Sequence, residues 1–494
     1  MKRSILLIIC ALFALSSCDD FLDKNPLDQM SSEVFWKNEE DIKLAVTGCY
    51  SRLKGGTLDY QRGYLDGLSD IAHIEWGLYG ISDMSIGLTN QNTLDGFFYN
   101  PLYNIISQCN FVMDNMDKAS SVSETIRNKY KAEVRFLRAL AYFDLVNFFG
   151  DVVMYKTLPA NADESKIAKS PKEDVYRFIE EDLDFAIANL PDEMYHAHAV
   201  KGSAMALKVR VLLYQQKWQA TASLAKMIID SGTFSLYDDF PNMFLNEGQT
   251  NNPEIMFSCK YLSPTSYHSG YGMNIEYSWH IFPYRTLLDA WECTDGKPIS
   301  ESPLYDPANK YDNRDPRLDY SIRKEGTNWE GFYDTDTYNF TGVFNRKYVD
   351  PTIPADYAHA FLQDWDYILI RYADVLLMYA EALNELSGPD NNVYSAIDAV
   401  RGRKGVEMPP VDRTRYNTKE LVRDFIVHER MVEFPMEGLR YFDLKRWRIA
   451  HILLPKYTNP AGIPLVFEQK HYYLPFRQSE LTNNPQLVQN DGYN

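Results

Sequence analysis

The densest group of side chains that could perform acid–base chemistry lies between residues 429 and 447. Its members are Glu429, Arg430, Glu433, Glu437, Arg440 and Asp443. A glycosidase would need two such carboxylates facing a cleft. However, the spacing of three and four residues is that of neighbours on a helix, where opposite charges form ion pairs. We therefore predict a structural ion-pair network, and we interpret Asp374 and Glu381 on a second predicted helix in the same way.

Metal and cofactor chemistry find little support in the sequence. His196 and His198 form a close pair, but no third ligand follows at a usual spacing and HExxH is absent. The segment 334–338 begins like a calcium loop, yet it lacks the glycine and the glutamate that such a loop requires. No GxSxG, P-loop or GxGxxG motif occurs. We expect no metal site, no cofactor and no hydrolase or nucleotide site.

Aromatic side chains point to ligand binding instead. The chain has 35 Tyr, 26 Phe and 8 Trp, and rings with a flat apolar face and a polar edge suit sugars. Two irregular stretches, 55–100 and 236–360, contain many of them, and loops on a rigid scaffold often carry function. The candidates are Trp76, Tyr79 and Tyr99 with Asp70, Asn90 and Asn92 in the first stretch, and Trp279, Tyr284, Trp291 and Trp329 with Arg285 and Asp295 in the second. The alternative for each ring is ordinary packing.

The first twenty residues have the pattern of a secretory leader. Lys2 and Arg3 precede an apolar stretch from Ile5 to Leu15, which is shorter than the roughly 20 residues of a membrane span. Small residues then lead to Cys18. This order is typical of a lipoprotein signal, in which residues 1–17 are removed and Cys18 is lipidated. No later apolar run is long enough to span a bilayer, so we expect a lipid anchor alone to hold the body to the membrane.

Composition and cysteine usage narrow the function further. The net charge is −18, which repels phosphate backbones, so we expect no nucleic-acid partner. Cys49, Cys109, Cys259 and Cys293 are scattered without a CxxC pair. They are predicted to be buried small hydrophobes, with a disulfide between one pair as the alternative.

Helical periodicity recurs along the chain. Apolar residues in 126–148 share one face and Gly150 ends that helix, while Ser170, Pro171 and Glu173 predict a capped helix that runs to about Leu190. Further helices are predicted near 202–216, 218–230, 366–386, 392–403 and 418–434. Paired helices of this length indicate a tetratricopeptide-like array. An irregular helical bundle is the alternative, because no strict repeat of about 34 residues aligns.

Several motifs occur together in a characteristic order. They are CDDFLD at 18–23, VFW at 34–36, DNRDPR at 312–317, RYADVLLMYAEA at 371–382, ERMVEF at 429–434, EGLRYFDLKRW at 437–447, YLPF at 473–476 and NNPQLVQNDGY at 483–493. In this combination the chain resembles the SusD/RagB family of outer-membrane lipoproteins from Bacteroidetes-type bacteria. Pro435 departs from the pattern and should kink the local helix.

The resemblance implies a mostly α fold in which tetratricopeptide-like helical pairs support an irregular, loop-rich ligand-binding region. The expected parts are a signal peptide at 1–17, an N-terminal helical region at 18–235 with the loop insertion 55–100, the ligand-binding region at 236–360, and a C-terminal helical region and tail at 361–494. The resemblance also implies that Asp70 lies in a stretch lining the ligand site. Relatives often carry a stacking Trp at the position of Tyr103, four residues after Tyr99.

The implied function is capture of a nutrient, usually an oligosaccharide, without catalysis. Such a protein is exposed at the cell surface, covers a SusC-like TonB-dependent outer-membrane transporter and delivers the ligand to it. The acidic residues after Cys18 resemble the family's surface-export signal. The alternatives are a peptide-binding RagB-like lid, a structural lid with little ligand binding of its own, and a glycosidase.

Overall fold

The computed structural model describes residues 35–74, 80–87, 95–262, 273–327, 329, 341–354 and 363–493, without the side chains at 95, 96 and 274–276. The helices are α1 (Glu39–Ser51), α2 (Ile81–Ser85), α3 (Asn100–Asn115), α4 (Glu124–Phe149), α5 (Lys172–Asn189), α6 (Lys201–Tyr214), α7 (Trp218–Ser231), α8 (Asn246–Gln249), α9 (Met273–His280), α10 (Arg285–Ala290), α11 (Pro316–Ser321), α12 (Tyr372–Ser387), α13 (Asn391–Arg401), α14 (Lys419–Glu433), α15 (Arg440–Arg446), α16 (Ala450–Leu453) and α17 (Gln478–Asn483). The strands are β1 (Ala72–Ile74), β2 (Ile255–Cys259), β3 (Ile281–Pro283), β4 (Ile322–Arg323), β5 (Phe344–Asn345) and β6 (Tyr367–Arg371).

The helices form a continuous packed array. Helices α3 to α7 each pack against the next in chain order, and α1 packs on α3 and α4. In the C-terminal half, α12 packs against α7, α13 and α14. The predicted mostly helical fold is therefore confirmed, and the succession of neighbours is consistent with tetratricopeptide-like pairs.

A long excursion of the chain interrupts this array. Helices α7 and α12 are in contact although more than a hundred residues of chain separate them. Strand β2 pairs antiparallel with β6, with Ile255 opposite Arg371 and Cys259 opposite Tyr367. The chain therefore leaves the array at β2 and returns at β6, and we call residues 260–366 the excursion. Its described elements are short helices and strands of two or three residues.

Helix α4 forms where the apolar periodicity predicted a helix. Its predicted stripe, which includes Val134, Leu137 and Ala141, is fully buried, because the stripe faces the neighbouring helices. Ser123 caps its N-terminus by accepting from the Ile126 amide at 3.4 Å. The helix ends at Gly150, whose positive φ of 75° is available to glycine at little cost, as predicted.

The predicted cap of α5 was wrong. Ser170 lies outside the helix, where its backbone exchanges two hydrogen bonds with Val152. Pro171 precedes the first helical residue, and the Asp151 carboxylate accepts from the Lys172 amide at 3.0 Å. A carboxylate from the preceding loop thus satisfies the helix start in place of a local serine.

The predicted start of a helix at 366 was also wrong, because residues 367–371 form strand β6. All five side chains of this strand are buried. The run Tyr-Ile-Leu-Ile-Arg is rich in β-branched and aromatic residues, which favour strands, and pairing with β2 decides its conformation. The helix itself begins at Tyr372.

Pro435 ends a helix and does not kink one. Helix α14 stops at Glu433, and the chain turns through Met436 and Gly438, both at positive φ. The Met436 amide donates to Asp66 at 2.7 Å, and a Cβ at Gly438 would lie 2.3 Å from the Arg62 carbonyl oxygen. This turn therefore packs so tightly on the segment before β1 that residue 438 must be a glycine.

A buried ionic network joins α14 to the elements around it. It comprises Arg317, Arg371, Arg401 and Arg403 with Glu254, Glu292, Glu429, Glu433 and Glu437, all of them buried. Arg371 of β6 contacts Glu433 at 2.6 Å, Glu437 at 2.8 Å and Glu254, just before β2, at 2.8 Å. The network therefore fixes both ends of the excursion to α14.

Further pairs extend the network to α11 and α13. Arg317 contacts Glu429 at 2.6 Å and Glu433 at 2.9 Å, and Arg401 contacts Glu429 at 2.8 Å. Arg403 also pairs with Glu433. The prediction of a structural ion-pair network is confirmed, but these partners come from distant elements and not from the next helical turn.

Two more predictions from the sequence are confirmed by the packing. Asp374 pairs with Arg210 and Arg430, and Glu381 pairs with Arg446, so both are structural. Cys49, Cys109, Cys259 and Cys293 are buried free thiols. Among the described residues, no helix combines the length and the apolar composition needed to cross a bilayer.

We predict that Glu433→Gln destabilises the protein by about 3–5 kcal/mol at neutral pH, because it leaves buried guanidinium groups without their full countercharge. Burial alone would raise the pKa of Glu433, but Arg403, Arg371 and Arg317 together hold this pKa well below its usual range. The carboxylate therefore contributes stability above the unfolded pKa of about 4.3, and this contribution is lost as the pH falls below that value.

Urea unfolding of the wild type and Glu433→Gln at several pH values tests this prediction. The stability difference should be large at pH 7 and should shrink below about pH 4. Asp424→Asn is the matched control, since Asp424 lies on the exposed face of the same helix. Equal stability of Glu433→Gln and Asp424→Asn would contradict the prediction.

Candidate functional site

Strands β1 and β3 bring the two irregular stretches together. They pair antiparallel, with His73 opposite Phe282, and the Tyr284 amide donates to the Ile71 carbonyl at 2.8 Å. The Thr286 hydroxyl donates to the Asp70 carbonyl at 2.7 Å. The two stretches in which we predicted ligand-binding residues therefore share one surface.

Asp70 holds this surface to the helical array. Its carboxylate receives two hydrogen bonds from the Arg440 guanidinium, at 2.8 and 2.9 Å, and both side chains are buried. This bidentate pair fixes the stretch before β1 to α15. The carboxylate is only 2% exposed, so in this structure it orients backbone beside the surface and does not itself face solvent.

Three of the predicted aromatic residues lie in the packed interior. Trp291 is fully buried, and Tyr284 and Tyr99 are each 8% exposed. The Tyr99 ring lies 4.7 Å from that of Tyr103 and 5.3 Å from that of Phe149. Packing, which was the alternative for each ring, accounts for these placements.

Trp279 and Trp329 keep part of their surface exposed. Trp279 lies at the end of α9, next to β3. Two guanidinium groups lie near the Trp329 ring, with Arg323 at 5.6 Å and Arg346 at 5.8 Å from its centroid. These cation–π contacts orient a ring that remains accessible. Among the aromatic candidates that the structure describes, these two tryptophans are the partly exposed ones.

Of the polar candidates in the second stretch, Arg285 is exposed and Asp295 accepts a hydrogen bond from the Ser302 hydroxyl at 3.0 Å. The remaining predicted residues lie outside the described residues. They are Trp76, Tyr79, Asn90 and Asn92, the lipidation candidate Cys18 and the segment 334–338.

A cavity of about 490 Å³ opens beside Trp329. Trp329 does not itself line the cavity, but Arg346 does, and its guanidinium lies 5.8 Å from the centroid of the Trp329 ring. Its walls carry hydrogen-bonding groups and aromatic rings from the segment before β2 and from the excursion: Asn242, Asn246, Glu247, Tyr320, Lys347, Asp350, Thr352, Asp364 and Trp365. The volume and the mixed walls are typical of a site for a small ligand.

One polar group in the cavity wall is a buried donor without a partner among the described residues. The Trp365 indole N–H is buried and has no hydrogen-bond partner within the described part of the chain. Asn246 donates to Asp364 at 3.0 Å across the cavity wall, and both also have exposed surface. A buried donor without a partner is costly, so a ligand acceptor there would be favourable.

Sequence reasoning missed these cavity residues. Asn242 and Asn246 precede β2, and Trp365 precedes β6, so they meet only because β2 pairs with β6. The signal that could have found Trp365 is its setting between Asp364 and Asp366, an aromatic ring flanked by acceptors at the end of the irregular stretch.

Two histidines border the β1–β3 surface. Burial lowers the pKa of His73 and of His280 to about 4. Both imidazoles are therefore neutral at physiological pH, where each can donate one hydrogen bond and accept another.

His198, the second histidine of the pair seen in the sequence, contacts a buried carboxylate of the helical array. His198 Nδ1 lies 2.6 Å from the Glu133 carboxylate, which also accepts from the Tyr50 hydroxyl at 2.9 Å. Within the described ranges, no cluster of three His, Cys, Asp or Glu side chains is arranged to hold a metal ion.

Comparisons with known proteins agree along the whole chain. The chain is 26% identical over 539 aligned positions to SusD-like protein P25 of Formosa agariphila, covering 100% of this chain and 99% of that protein. A solved SusD-like carbohydrate-binding protein from Bacteroides fragilis is 25% identical, with a TM-score of 0.81 over 92% of this chain and 100% of that one. Surface glycan-binding protein A from Bacteroides thetaiotaomicron, solved with laminarihexaose, shares the fold at 20% identity, with a TM-score of 0.69 over 91% and 99% of the two chains.

Family models match both halves. A model described as starch-binding and associating with the outer membrane matches residues 20–213. The model of the SusD family matches residues 246–493, which is half of the chain. The chain therefore belongs to the SusD family, as its sequence motifs predicted.

Proposed function

We propose that this protein is a cell-surface lipoprotein that captures an oligosaccharide and delivers it unchanged to a SusC-like TonB-dependent transporter in the outer membrane. The observation that carries the proposal is membership of the SusD family, together with the description of the N-terminal model as starch-binding and outer-membrane-associated. The relative from Bacteroides fragilis, which aligns over 92% of this chain, is described as carbohydrate-binding.

The geometry of the cavity beside Trp329 supports a sugar ligand. A pyranose can stack its CH-rich face on an accessible ring, and by analogy with base stacking such a contact contributes on the order of 1–3 kcal/mol. Amide, carboxylate and guanidinium groups around the cavity can bond the hydroxyl groups and fix the orientation of the ring. The predicted residues outside the described ranges, Trp76, Tyr79, Asn90 and Asn92, remain part of the proposal.

The densest carboxylate group does not support a glycosidase. Glu429 and Glu433 are buried and accept hydrogen bonds from Arg317, Arg371 and Arg401, so they are committed to the fold. A general acid must instead present a protonated carboxyl group to a cleft. We therefore propose capture without turnover, and incubation of the pure protein with each bound glycan provides the check.

We propose that the anchor is Cys18, after removal of residues 1–17. A charged start, a short apolar stretch and small residues before the cysteine support this proposal. The acidic residues that follow support export to the cell surface, where a transporter lid must act.

Binding by the isolated protein distinguishes glycan capture from the two alternative functions, a peptide-binding lid and a structural lid. Titration of the mature chain with a panel that includes laminarihexaose, other neutral glycans and peptides should give saturable heat with one glycan class and no breakdown. Saturable binding of peptides alone would favour a RagB-like function. No binding of any glycan or peptide in the panel would favour a structural lid, with the transporter making most of the ligand contacts.

We predict that Trp329→Ala weakens binding of the captured glycan by roughly 5- to 150-fold, because one stacking platform is lost. Calorimetry measures the affinity. Trp218→Ala is the matched control, since Trp218 starts α7 in the helical array, away from the cavity, and it should leave the affinity unchanged. If alanine at Trp76, Trp279 and Trp329 alike left the affinity intact, the stacking proposal would be wrong.

We predict that Cys18→Ala abolishes membrane association of the expressed chain, because no lipid can be attached. Incorporation of labelled fatty acid and membrane fractionation measure this effect. Cys10→Ala is the control, since that cysteine lies within the leader and should leave lipidation intact. Unchanged lipid labelling in Cys18→Ala would contradict the assignment of the anchor.

A further inference from the structure

A second and larger cavity lies within the helical array. It encloses about 620 Å³ and shares no lining residue with the cavity beside Trp329. Its walls come from the end of α4, the start of α5, the end of α6, the end of α15 and Tyr472 with Tyr473. It is therefore separate from the site of the proposed glycan capture.

The lining of this cavity is cationic, although the chain carries a net charge of −18. Its cations are Lys172, Lys217, Lys445, Arg446 and Arg448, and the carboxylate in its lining is Glu173. Such a concentration of positive charge is unexpected in an acidic protein unless it serves an anion.

Three of these cations are neutralised by neighbours. Arg446 pairs with Glu381 and with Asp443, the latter at 2.8 Å. Lys217 contacts Glu180 at 2.6 Å, and Lys172 lies 3.9 Å from Glu173. These three cations therefore have carboxylate partners, and two cations of the lining, Lys445 and Arg448, remain to be considered.

Lys445 is the first cation left without a countercharge. It is only 7% exposed, and its Nζ donates to the Asn147 carbonyl at 2.7 Å and contacts the Tyr441 hydroxyl at 3.4 Å. In the described part of the chain it has no carboxylate partner. Burial, together with the nearby Arg448, lowers its pKa to about 7. A buried ammonium with neutral partners is costly, and an anion beside it would offset that cost.

Arg448 is the second such cation. Its guanidinium lies 3.6 Å from the centroid of the Tyr472 ring, and the described residues give it no carboxylate partner. It has a positive φ of 58°, which costs a non-glycine residue about 1–2 kcal/mol. The stacked guanidinium is thus held at the rim of the cavity with its N–H groups available.

The remaining walls suit a hydroxylated ring. Tyr176 donates to the Asn147 side chain at 3.2 Å, and Lys172 donates to the Tyr473 hydroxyl at 3.3 Å. Tyr214 and Gln215 also line the cavity, and they bring a phenol ring and an amide. The volume lies within the roughly 300–1,000 Å³ of small-molecule sites.

We propose that this cavity binds an oxyanion carried by a small hydroxylated molecule, namely the carboxylate of a uronic acid or the sulfate ester of a sugar. Lys445 and Arg448 supply the countercharge, and the tyrosine and glutamine side chains contact the ring. The proposal is independent of the glycan-capture site, because the two cavities share no residue.

Titration of the mature chain at low ionic strength tests this proposal. The probes are glucuronate, glucose 6-sulfate, glucose and inorganic sulfate. We expect saturable binding of at least one acidic sugar and none of glucose, with affinity that falls as salt is added. Glucuronate and glucose 6-sulfate distinguish the two sources of the oxyanion. Equal binding of glucose, no binding of either acidic sugar, or inorganic sulfate binding as tightly as the sugars would overturn the proposal.

Two variants assign the binding to this cavity. Arg448→Gln and Lys445→Gln should each weaken binding of the acidic sugar at least tenfold. Arg448 is exposed, so its variant should fold even if the buried Lys445 variant does not, and the melting temperature checks this. Lys404→Gln is the control, since Lys404 is an exposed lysine that pairs with Asp238 and does not line this cavity. Unchanged affinity in a folded Arg448→Gln protein would refute the assignment.

Discussion

The contact between Arg371 and Glu433, at 2.6 Å inside a fully buried ionic network, is the interaction on which the rest of the structure depends. It joins the strand that ends the excursion to the helix that completes the array. Glu254 binds the same guanidinium from the strand that begins the excursion. Removing one member would leave its buried partners without their full countercharge, which is costly.

The network explains how a long irregular stretch can form a defined surface. With both ends fixed, the excursion does not need long elements of its own, and short strands suffice. Strands β1 and β3 tie it to the N-terminal half, and the bidentate contact of Asp70 with Arg440 ties that half back to α15. The cavity beside Trp329 is thus built from loops whose anchors lie in a rigid core. This is the usual arrangement for a site whose specificity varies while its scaffold does not.

Elements that depend on local pattern could be predicted from the sequence, and elements that depend on distant partners could not. Local periodicity and end signals located α4, α5, α6, α7, α13 and α14 to within a few residues, although α6 is buried on nearly every side and not along one stripe. Residues 367–371 were predicted as helix, since a strand buried on both faces shows no alternation. The charges after Glu429 were recognised as structural, but their partners, such as Arg317, could not be identified because they lie more than a hundred residues away. Trp365 and Asn246 meet through the pairing of β2 with β6, which no local signal predicts.

Hydrogen exchange of the mature chain, with and without a bound oligosaccharide, tests most directly the claim that the fixed excursion presents the ligand site. The account predicts added protection in peptides that cover 242–247, 346–353 and 363–366, with the buried network helices unchanged because they are already protected. Protection confined to the helical array, with none in those three segments, would contradict it.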